Sequence, residues 1–344
     1  MGLKWITLNG RGLRKFWKRS VIFARLLDFG VDIIFLQETH VTNKREAEAY
    51  MKDIWSGKHY WSFGTNNARG VGTLIAKDLD YTFLKHTYDF EGRTCVVDIK
   101  MGDKNYRLIN VYAPNDYRER KEYIKNLDIY LINNFDFIAG GDWNFVENLG
   151  LDKMGGNLQR GNIGCSEMTR LKDDFFLKEA FRSKYPNRKE YTWREGPIHC
   201  RLDRFYVSEH LMGWVKEVKH VYCTVSDHYF VILEFKDIDS NTGKFGPGYW
   251  KHNVSVYERP EFIMDLTNLW NNNLSLDPFS DDFWWEQCKI EFKKLIIKHS
   301  RRISDRKKRQ IEQLEKAAQS FVQLLASTND ENETNTYKGF LNKI

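Results

Sequence analysis

From Met1 to about Asp239, short apolar runs alternate with stretches of three-to-four-residue periodicity. The runs "LKWITLN", "VDIIFLQ", "GVGTLIA", "TCVVDIK", "YRLINVYA", "FDFIAGG", "CRLDRFYV", "HVYCTV" and "YFVILEF" have the length and β-branched content of strands. "CVVDIKMGDKNYRLINVYA" predicts a hairpin turning over Gly102–Asn105. Helices are predicted over 14–28, closed by Gly30, and over 45–55, 118–134, 165–184 and 208–217. Strands interleaved with helices, some joined by hairpins, predict an α/β fold of mixed sheets covered by helices.

After "FKDIDSNTG" the pattern changes. Residues 250–325 carry no strand signal, only Trp- and Lys-rich helical stretches, so a domain 1–239 is expected to be followed by a helical segment 240–344. Ile311, Leu314, Ala318, Phe321 and Leu325 share one helix face. Barely two heptads suit packing within that segment better than a coiled coil. "STNDENETNTY" (327–337) reads as a polar linker. "FSDD" (279–282) imitates a polymerase metal box, but no palm strands precede it, and Ser280 or Asp281 reads as a helix cap.

Composition narrows the class. The 344 residues are 42% hydrophobic, enough for a full core, and no run approaches the roughly 18 apolar residues of a membrane helix. No signal-peptide pattern opens the chain. Five scattered cysteines without a C-x-x-C pair point to a reducing compartment and no thiolate zinc site. The net charge of +6 is mild, but "KHSRRISDRKKR" (298–309) concentrates seven Lys/Arg against one Asp. Such a run is either a solvated helix face or a phosphate contact.

Candidate chemistry gathers at strand ends. Asn9 closes the first run, Glu38 follows "IIFLQ", Asp142 and Asn144 follow "FIAGG", Asp203 lies in "RLDRF", and "VSDH" brings Ser226, Asp227 and His228 between two strands. One strand-end acid is usually a cap or turn. Glu38, Asp142, Asp203 and Asp227 together would make a pocket too negative without a cation. A hard divalent ion, Mg²⁺ best and Mn²⁺ as substitute, suits oxygen ligands, and its natural substrate is a phosphate ester.

The series "TLN…IIFLQETH…GVGTLIA…LINVYAPN…IAGGDWNF…YTW…RLDRFYVS…SDH" resembles the endonuclease/exonuclease/phosphatase superfamily. It resembles most the apurinic-endonuclease-like domain of LINE-type non-LTR retrotransposons, over residues 3–236. "GPGYWKHNVSVYERPEF" resembles the segment that follows in those polyproteins and leads toward a reverse transcriptase. The resemblance implies a four-layered α/β sandwich, two mixed β-sheets flanked by helices (DNase I-like), with a C-terminal helical extension. It implies a Mg²⁺-dependent endonuclease that nicks one strand of double-stranded target DNA in the nucleus. The 3′-hydroxyl left behind would prime reverse transcription of the element RNA. By the same resemblance Glu38 binds metal and Asn9 supports metal and phosphate. Tyr112 lies near the scissile phosphate, Asp142 positions or deprotonates water, and Asn144 holds the phosphate. Asp203 and Asp227 flank His228, with Asp227 orienting the imidazole, and Thr192 and Ser226 are supporting hydroxyls beside the substrate. Either Asp142 or His228 is the base.

Arg11 departs from much of that family. If the first strand persists, Arg11 shares a face with Asn9 and attracts phosphate; otherwise "NGRG" is loop and Arg11 is solvated. The loop "WREGPIHCRL" between Thr192 and Asp203 offers Arg194, His199 and Arg201 to a groove or phosphate. Competing classes are abasic-site repair, dephosphorylation of a small phosphoester, and a catalytically idle DNA-binding module.

Overall fold

The structure, a computed structural model, describes residues 2–65, 68–132, 135–156, 165–236, 254–274 and 284–327. The chain divides into two compact units, Met1–Tyr249 and Trp250–Ile344.

The first unit is built on two six-stranded mixed sheets. The first sheet runs, in spatial order, Val215–Val221, Phe230–Phe235, Lys4–Asn9, Ile33–Gln37, Val71–Ile75 and Lys58–Ser62. The second runs Leu177–Glu179, Asp203–Ser208, Asp136–Asp142, Lys104–Tyr112, Thr94–Met101 and Thr82–Tyr88. Each sheet has one parallel pair at its centre: Lys4–Asn9 with Ile33–Gln37, and Lys104–Tyr112 with Asp136–Asp142. The four C-terminal ends of those strands deliver Asn9, Glu38, Tyr112 and Asp142.

Strand alternation explains the layers. Trp5, Ile33 and Phe35 belong to the core that also holds Val97, Leu108 and Phe205 of the second sheet. Their neighbours Ile6, Leu8, Ile34 and Leu36 pack instead with Ile22, Phe23, Leu26, Ala47 and Met51 of the covering helices Phe16–Phe29 and Lys44–Met51. Near the site end the inter-sheet layer turns polar. Gln37 Nε2 donates to Thr7 Oγ1 at 2.9 Å and to Asn110 Oδ1 at 2.7 Å, while Asn110 Nδ2 donates to the Gly72 carbonyl at 2.9 Å. All three side chains are fully buried and satisfied, so the bridge fixes the separation of the sheets beneath the catalytic residues. In "GGD", a Cβ on Gly140 would lie 2.4 Å from the Phe205 ring, and one on Gly141 would lie 1.9 Å from the Val111 carbonyl. Two glycines are what let this strand run so close to its neighbours.

The hairpin at Gly102 forms, with φ 56° there, and Gly30 closes the first helix in the left-handed region. Three helix expectations are corrected. The 118–134 stretch is α-helical only over Tyr117–Asn126 and continues as a 3₁₀ turn, Leu127–Tyr130. The 165–184 stretch breaks at Phe176 (φ 52°), giving a helix Cys165–Phe175, the strand Leu177–Glu179 and a short helix Ala180–Lys184. The 208–217 stretch is a 3₁₀ turn, Glu209–Gly213, followed by the strand Val215–Val221. In the last two cases pairing with a neighbouring strand overrides helical periodicity. The strands Lys58–Ser62 and Thr82–Tyr88 were not anticipated. Both are sheet edges, where one-sided pairing and exposure blur the apolar pattern.

A third, small sheet joins Trp193–Glu195, Ile198–Cys200 and Lys153–Met154, with Gly196 (φ 54°) at the hairpin tip. It is pinned by Arg201, which is 0% exposed. Arg201 donates to both carboxylate oxygens of Asp152 (2.8 and 3.1 Å) and pairs with Glu179 at 3.0 Å. Arg201 was expected to touch substrate; enclosed by its two acids, it cannot.

The second unit contains the 3₁₀ turn Val254–Glu258 and the helices Pro260–Leu274 and Trp284–Ser327, packed through Val256, Phe262, Ile296 and Ile303. Part of the basic run faces the shorter helix: His299 Nε2 lies 3.0 Å from Asp265, and Lys298 3.7 Å from the same carboxylate. The side chains of the 311–325 stripe, the "FSDD" cap and the 328–337 linker residues lie outside the described part.

Replacing Arg201 by Met strands Asp152 and Glu179 without their main cation. Breaking a buried pair from one side costs about 3–5 kcal/mol. Urea denaturation should show that loss in the variant; a midpoint equal to that of the unaltered protein would return Arg201 to the substrate surface.

Candidate active site

The C-terminal ends of the two parallel pairs face one another across the sandwich, and the site is what they carry. Asn9 is the link. Its amide nitrogen donates to Glu38 Oε1 at 3.1 Å and to Asp142 Oδ2 at 2.9 Å, while its oxygen accepts the Arg11 backbone N–H at 3.0 Å. Tyr112 donates its hydroxyl to the same Glu38 oxygen at 2.6 Å. Glu38 itself, half-buried, follows its strand in the left-handed region at φ 47°.

Asp142 and Asp203 are opposed residues on adjacent antiparallel strands, both fully buried. His228 lies with them. Its Nδ1 is 2.9 Å from Asp203 Oδ2, and its Nε2 is 3.8 Å from Asp142 Oδ2. Thr192, also fully buried, donates to Asp203 Oδ2 at 2.6 Å and accepts the backbone N–H of Asp203 at 2.9 Å.

Burial sets the electrostatics. For Asp142, loss of solvent raises the carboxyl pKa to about 7; Asp203 adds to that rise, and His228 and the Asn9 amide oppose it. For His228, burial alone would lower the pKa. The carboxylates of Asp203 and then Asp142 outweigh it and lift the imidazole to about 9. At neutral pH the cluster therefore contains an imidazolium between two acids. The Tyr112 hydroxyl is pushed up by burial and by Glu38, so it stays a donor.

Asp142, Asp203 and His228 present ligand atoms within 4.8 Å of one another, and as a set they could hold a cation. A protonated His228 with Nδ1 engaged by Asp203 is a poor ligand. Half-buried Glu38, an oxygen ligand partly open to water and linked to Asp142 through Asn9, fits a hard divalent ion better. Asn9, expected near metal, is placed with its nitrogen toward the acids, so it bridges them rather than offering an oxygen.

Other expected residues fall differently. Asp227 does not orient His228. In the bend that carries Ser226 and Asp227, the Asp227 carboxylate instead accepts Arg11 Nη1 at 2.7 Å and Trp193 Nε1 at 3.2 Å. Asp203 is the carboxylate on the imidazole. Thr192 is a support for Asp203, too enclosed to meet substrate. Ser226 donates to the Asn9 carbonyl at 2.8 Å and accepts the His228 N–H at 3.2 Å, tying the "SDH" turn to the first strand. Asn144, at φ 52°, donates to the Ala113 carbonyl at 2.8 Å and keeps its backbone N–H on Asp142. Arg11 lies past the strand end at φ 44°, its side chain 65% exposed, so it is a loop residue that nonetheless reaches the site through Asp227. Arg194 is exposed, its guanidinium over the Tyr222 ring at 4.3 Å.

Two residues at the site were missed. His40 lies 4.0 Å from Glu38 Oε2, and its pKa is lowered by burial despite that carboxylate. Trp193 holds Asp227 and bridges to the His228 backbone. "QETH" contained the first signal; nothing in "YTW" announced the second. Arg11, Glu38, His40, Arg69 and Asn144 all have positive φ. Non-glycine residues so placed cost about 1–3 kcal/mol each and tend to gather at functional sites.

Comparison with known proteins agrees with this geometry. The model of the Endonuclease/Exonuclease/phosphatase family matches residues 7–228. The sequence is 27% identical over 344 residues to a protein of Xenopus laevis named transposon TX1 uncharacterized 149 kDa protein, covering 96% of this chain and 25% of that one. The chain thus spans a quarter of the length of that relative. It is 26% identical over 244 residues to an exodeoxyribonuclease of Bacillus subtilis (strain 168), covering 62% of this chain and 92% of the other. Among solved structures, the AP endonuclease LMAP from Leishmania major superposes with a TM-score of 0.60 at 19% identity, over 69% of this chain and 88% of that one. An AP endonuclease from Archaeoglobus fulgidus gives 0.56 at 18%, over 68% and 100%. At these identities the solved structures establish the fold alone: two mixed sheets flanked by helices. Because the family match runs from the first strand through His228, across every strand end that carries the site, the chain belongs to the endonuclease/exonuclease/phosphatase family of enzymes.

Proposed function

We propose that this chain is a divalent-metal-dependent endonuclease that nicks one strand of duplex DNA, and that the 3′-hydroxyl it leaves primes reverse transcription for a non-LTR retrotransposon. The observation that carries this reading is the buried Asp142–Asp203–His228 cluster set beside half-buried Glu38 at converging strand ends. The likeness to the transposon protein supports the retrotransposon assignment. It extends over 96% of the chain, into the helical unit, whereas the exodeoxyribonuclease likeness covers 62%. The partners on this reading are double-stranded target DNA, element RNA and a reverse transcriptase of the same polyprotein, and the site of action is the nucleus.

In the reaction a water oxygen bonds to phosphorus and the P–O3′ bond breaks; the 3′ oxygen leaves as an alkoxide that takes a proton from solvent to become the hydroxyl, and the 5′ side keeps the phosphate. Asp142 takes the proton from water; a carboxyl lifted to about 7 by burial is basic enough for the task and still ionises near neutrality. His228 is not the base. Held protonated by Asp203, it presents Nε2–H to the negative charge growing on the phosphoryl oxygens. Mg²⁺ or Mn²⁺, held at Glu38, would supply further stabilisation of that charge. Tyr112 and Asn9 hold Glu38 in place by donating to it.

Asp142→Ala should reduce Mg²⁺-dependent nicking of supercoiled plasmid by about 10²–10⁴-fold and His228→Ala by about 10²–10³-fold; a near-normal rate in either sinks that assignment. Glu38→Ala should raise the Mg²⁺ concentration for half-maximal nicking, and a rate defect with an unshifted metal titration counts against Glu38 as ligand. The His228 ring, followed by NMR in EDTA, should be protonated below and neutral above a midpoint near pH 9. Asp203→Asn removes the chief stabilising charge, so the midpoint should fall by about one unit or more. A midpoint that falls instead in Asp227→Asn would give the orienting role back to Asp227.

A further inference from the structure

From Gly10 to Leu27 the chain has no Asp or Glu and six basic residues: Arg11, Arg14, Lys15, Lys18, Arg19 and Arg25. Into this run are set two neighbouring aromatic side chains at the start of the first helix, Phe16 and Trp17, exposed by 66% and 57%. A single exposed apolar residue needs no explanation. Two consecutive exposed aromatics within a basic run, at the start of the helix that follows the Arg11 turn, do.

The face is rigid and tied to the active site. Arg19 is buried and donates to the carbonyls of Leu13 (2.8 Å) and Arg14 (2.6 Å). Its guanidinium lies 4.0 Å from the centre of the Tyr50 ring and 5.7 Å from that of Phe16. Lys18 Nζ donates to the Arg11 carbonyl at 2.8 Å, and Arg11 in turn holds Asp227. Glu46, which pairs with Arg14 at 3.7 Å, is otherwise occupied by Thr42 and Tyr50. The exposed charge beside Phe16 and Trp17 is therefore positive.

We propose that Phe16 and Trp17, flanked by Arg14 and Lys15, form a stacking platform for single-stranded nucleic acid next to the cleavage site. The chemistry selects an unpaired strand over a duplex. Bases in a duplex already stack on one another and offer only edges and phosphates, whereas an unpaired base offers a π-face to an aromatic ring. The basic neighbours supply the sequence-independent attraction to phosphate. The proposal rests on the endonuclease reading, since a nick is what frees a strand end beside this face. The DNA end that unpairs is the ligand.

The test uses the full chain in EDTA, where nothing is cut. It is titrated with fluorescein-labelled oligothymidylate and, separately, oligouridylate of about twelve nucleotides, within the usual footprint of such sites. Trp17→Ala and Phe16→Ala should each weaken binding about tenfold, the size of one missing base stack, with far-UV circular dichroism unchanged. Trp17→Phe should keep most of the affinity. The double variant Arg14→Gln, Lys15→Gln should flatten the log–log salt slope by about 0.7 for each phosphate no longer neutralised. Oligothymidylate stands for the freed DNA end, and a loss confined to oligouridylate would overturn the proposal. Unchanged binding of Trp17→Ala to both overturns the proposal, and so does an equal weakening on a blunt duplex, which would make the face a duplex-binding one. Plasmid nicking by the unaltered chain with Mg²⁺ is run in parallel; its failure would sink the endonuclease reading and leave the oligonucleotide result standing.

Discussion

Asp142 and Asp203 sit opposite each other on neighbouring strands with no solvent to separate their charges. Two carboxylates in such a place repel one another and lose hydration, a penalty of several kcal/mol per ion unless partners are supplied. The surroundings answer that constraint one group at a time. His228 stands between them as a cation, Thr192 donates to Asp203, and Asn9 donates to Asp142 and Glu38 at once. The same grouping that makes the site costly makes it reactive. One acid is pushed up toward neutrality, where it can take a proton, and one imidazole is held charged, where it can meet a phosphate.

The sandwich serves this grouping by geometry. Four strand ends converge because each sheet has a parallel pair at its centre, and the buried Gln37–Asn110 bridge ties the two pairs together just beneath. The glycines of "GGD" let the Asp142 strand approach Phe205 and Val111 closely enough for the acids to meet. Away from this end the inter-sheet layer is apolar, so the polar chemistry is confined to one rim. Around that rim the chain takes left-handed turns at Arg11, Glu38, His40, Arg69 and Asn144.

Much of this was legible in sequence where local chemistry and pattern agree. The central strands, the Gly102 hairpin, the Gly30 helix end and the strand-end acids all follow from runs that satisfy one rule at a time. Edge strands such as Thr82–Tyr88 were not legible, because exposure on one side dilutes their alternation. The 165–184 and 208–217 stretches misled because their apolar spacing suits a helix, and only pairing with a distant strand makes parts of them extended.

The sequence by itself determined which residues could do chemistry, since a strand end, a glycine pair and an adjacent His are written locally. Which residue partners which was decided only by tertiary structure. "SDH" puts Asp227 beside His228 in sequence, yet in the fold Arg11 and Trp193 take up Asp227, and the imidazole finds Asp203 from twenty-five residues away. Arg11 and Arg201 both read by sequence as arginines offered to phosphate. One lies at the surface with Asp227, and the other is sealed in the interior by Asp152 and Glu179, because only the folded chain brings those two acids around it. A charge is a local property, but its partner and its solvent are set by whatever the fold packs against it.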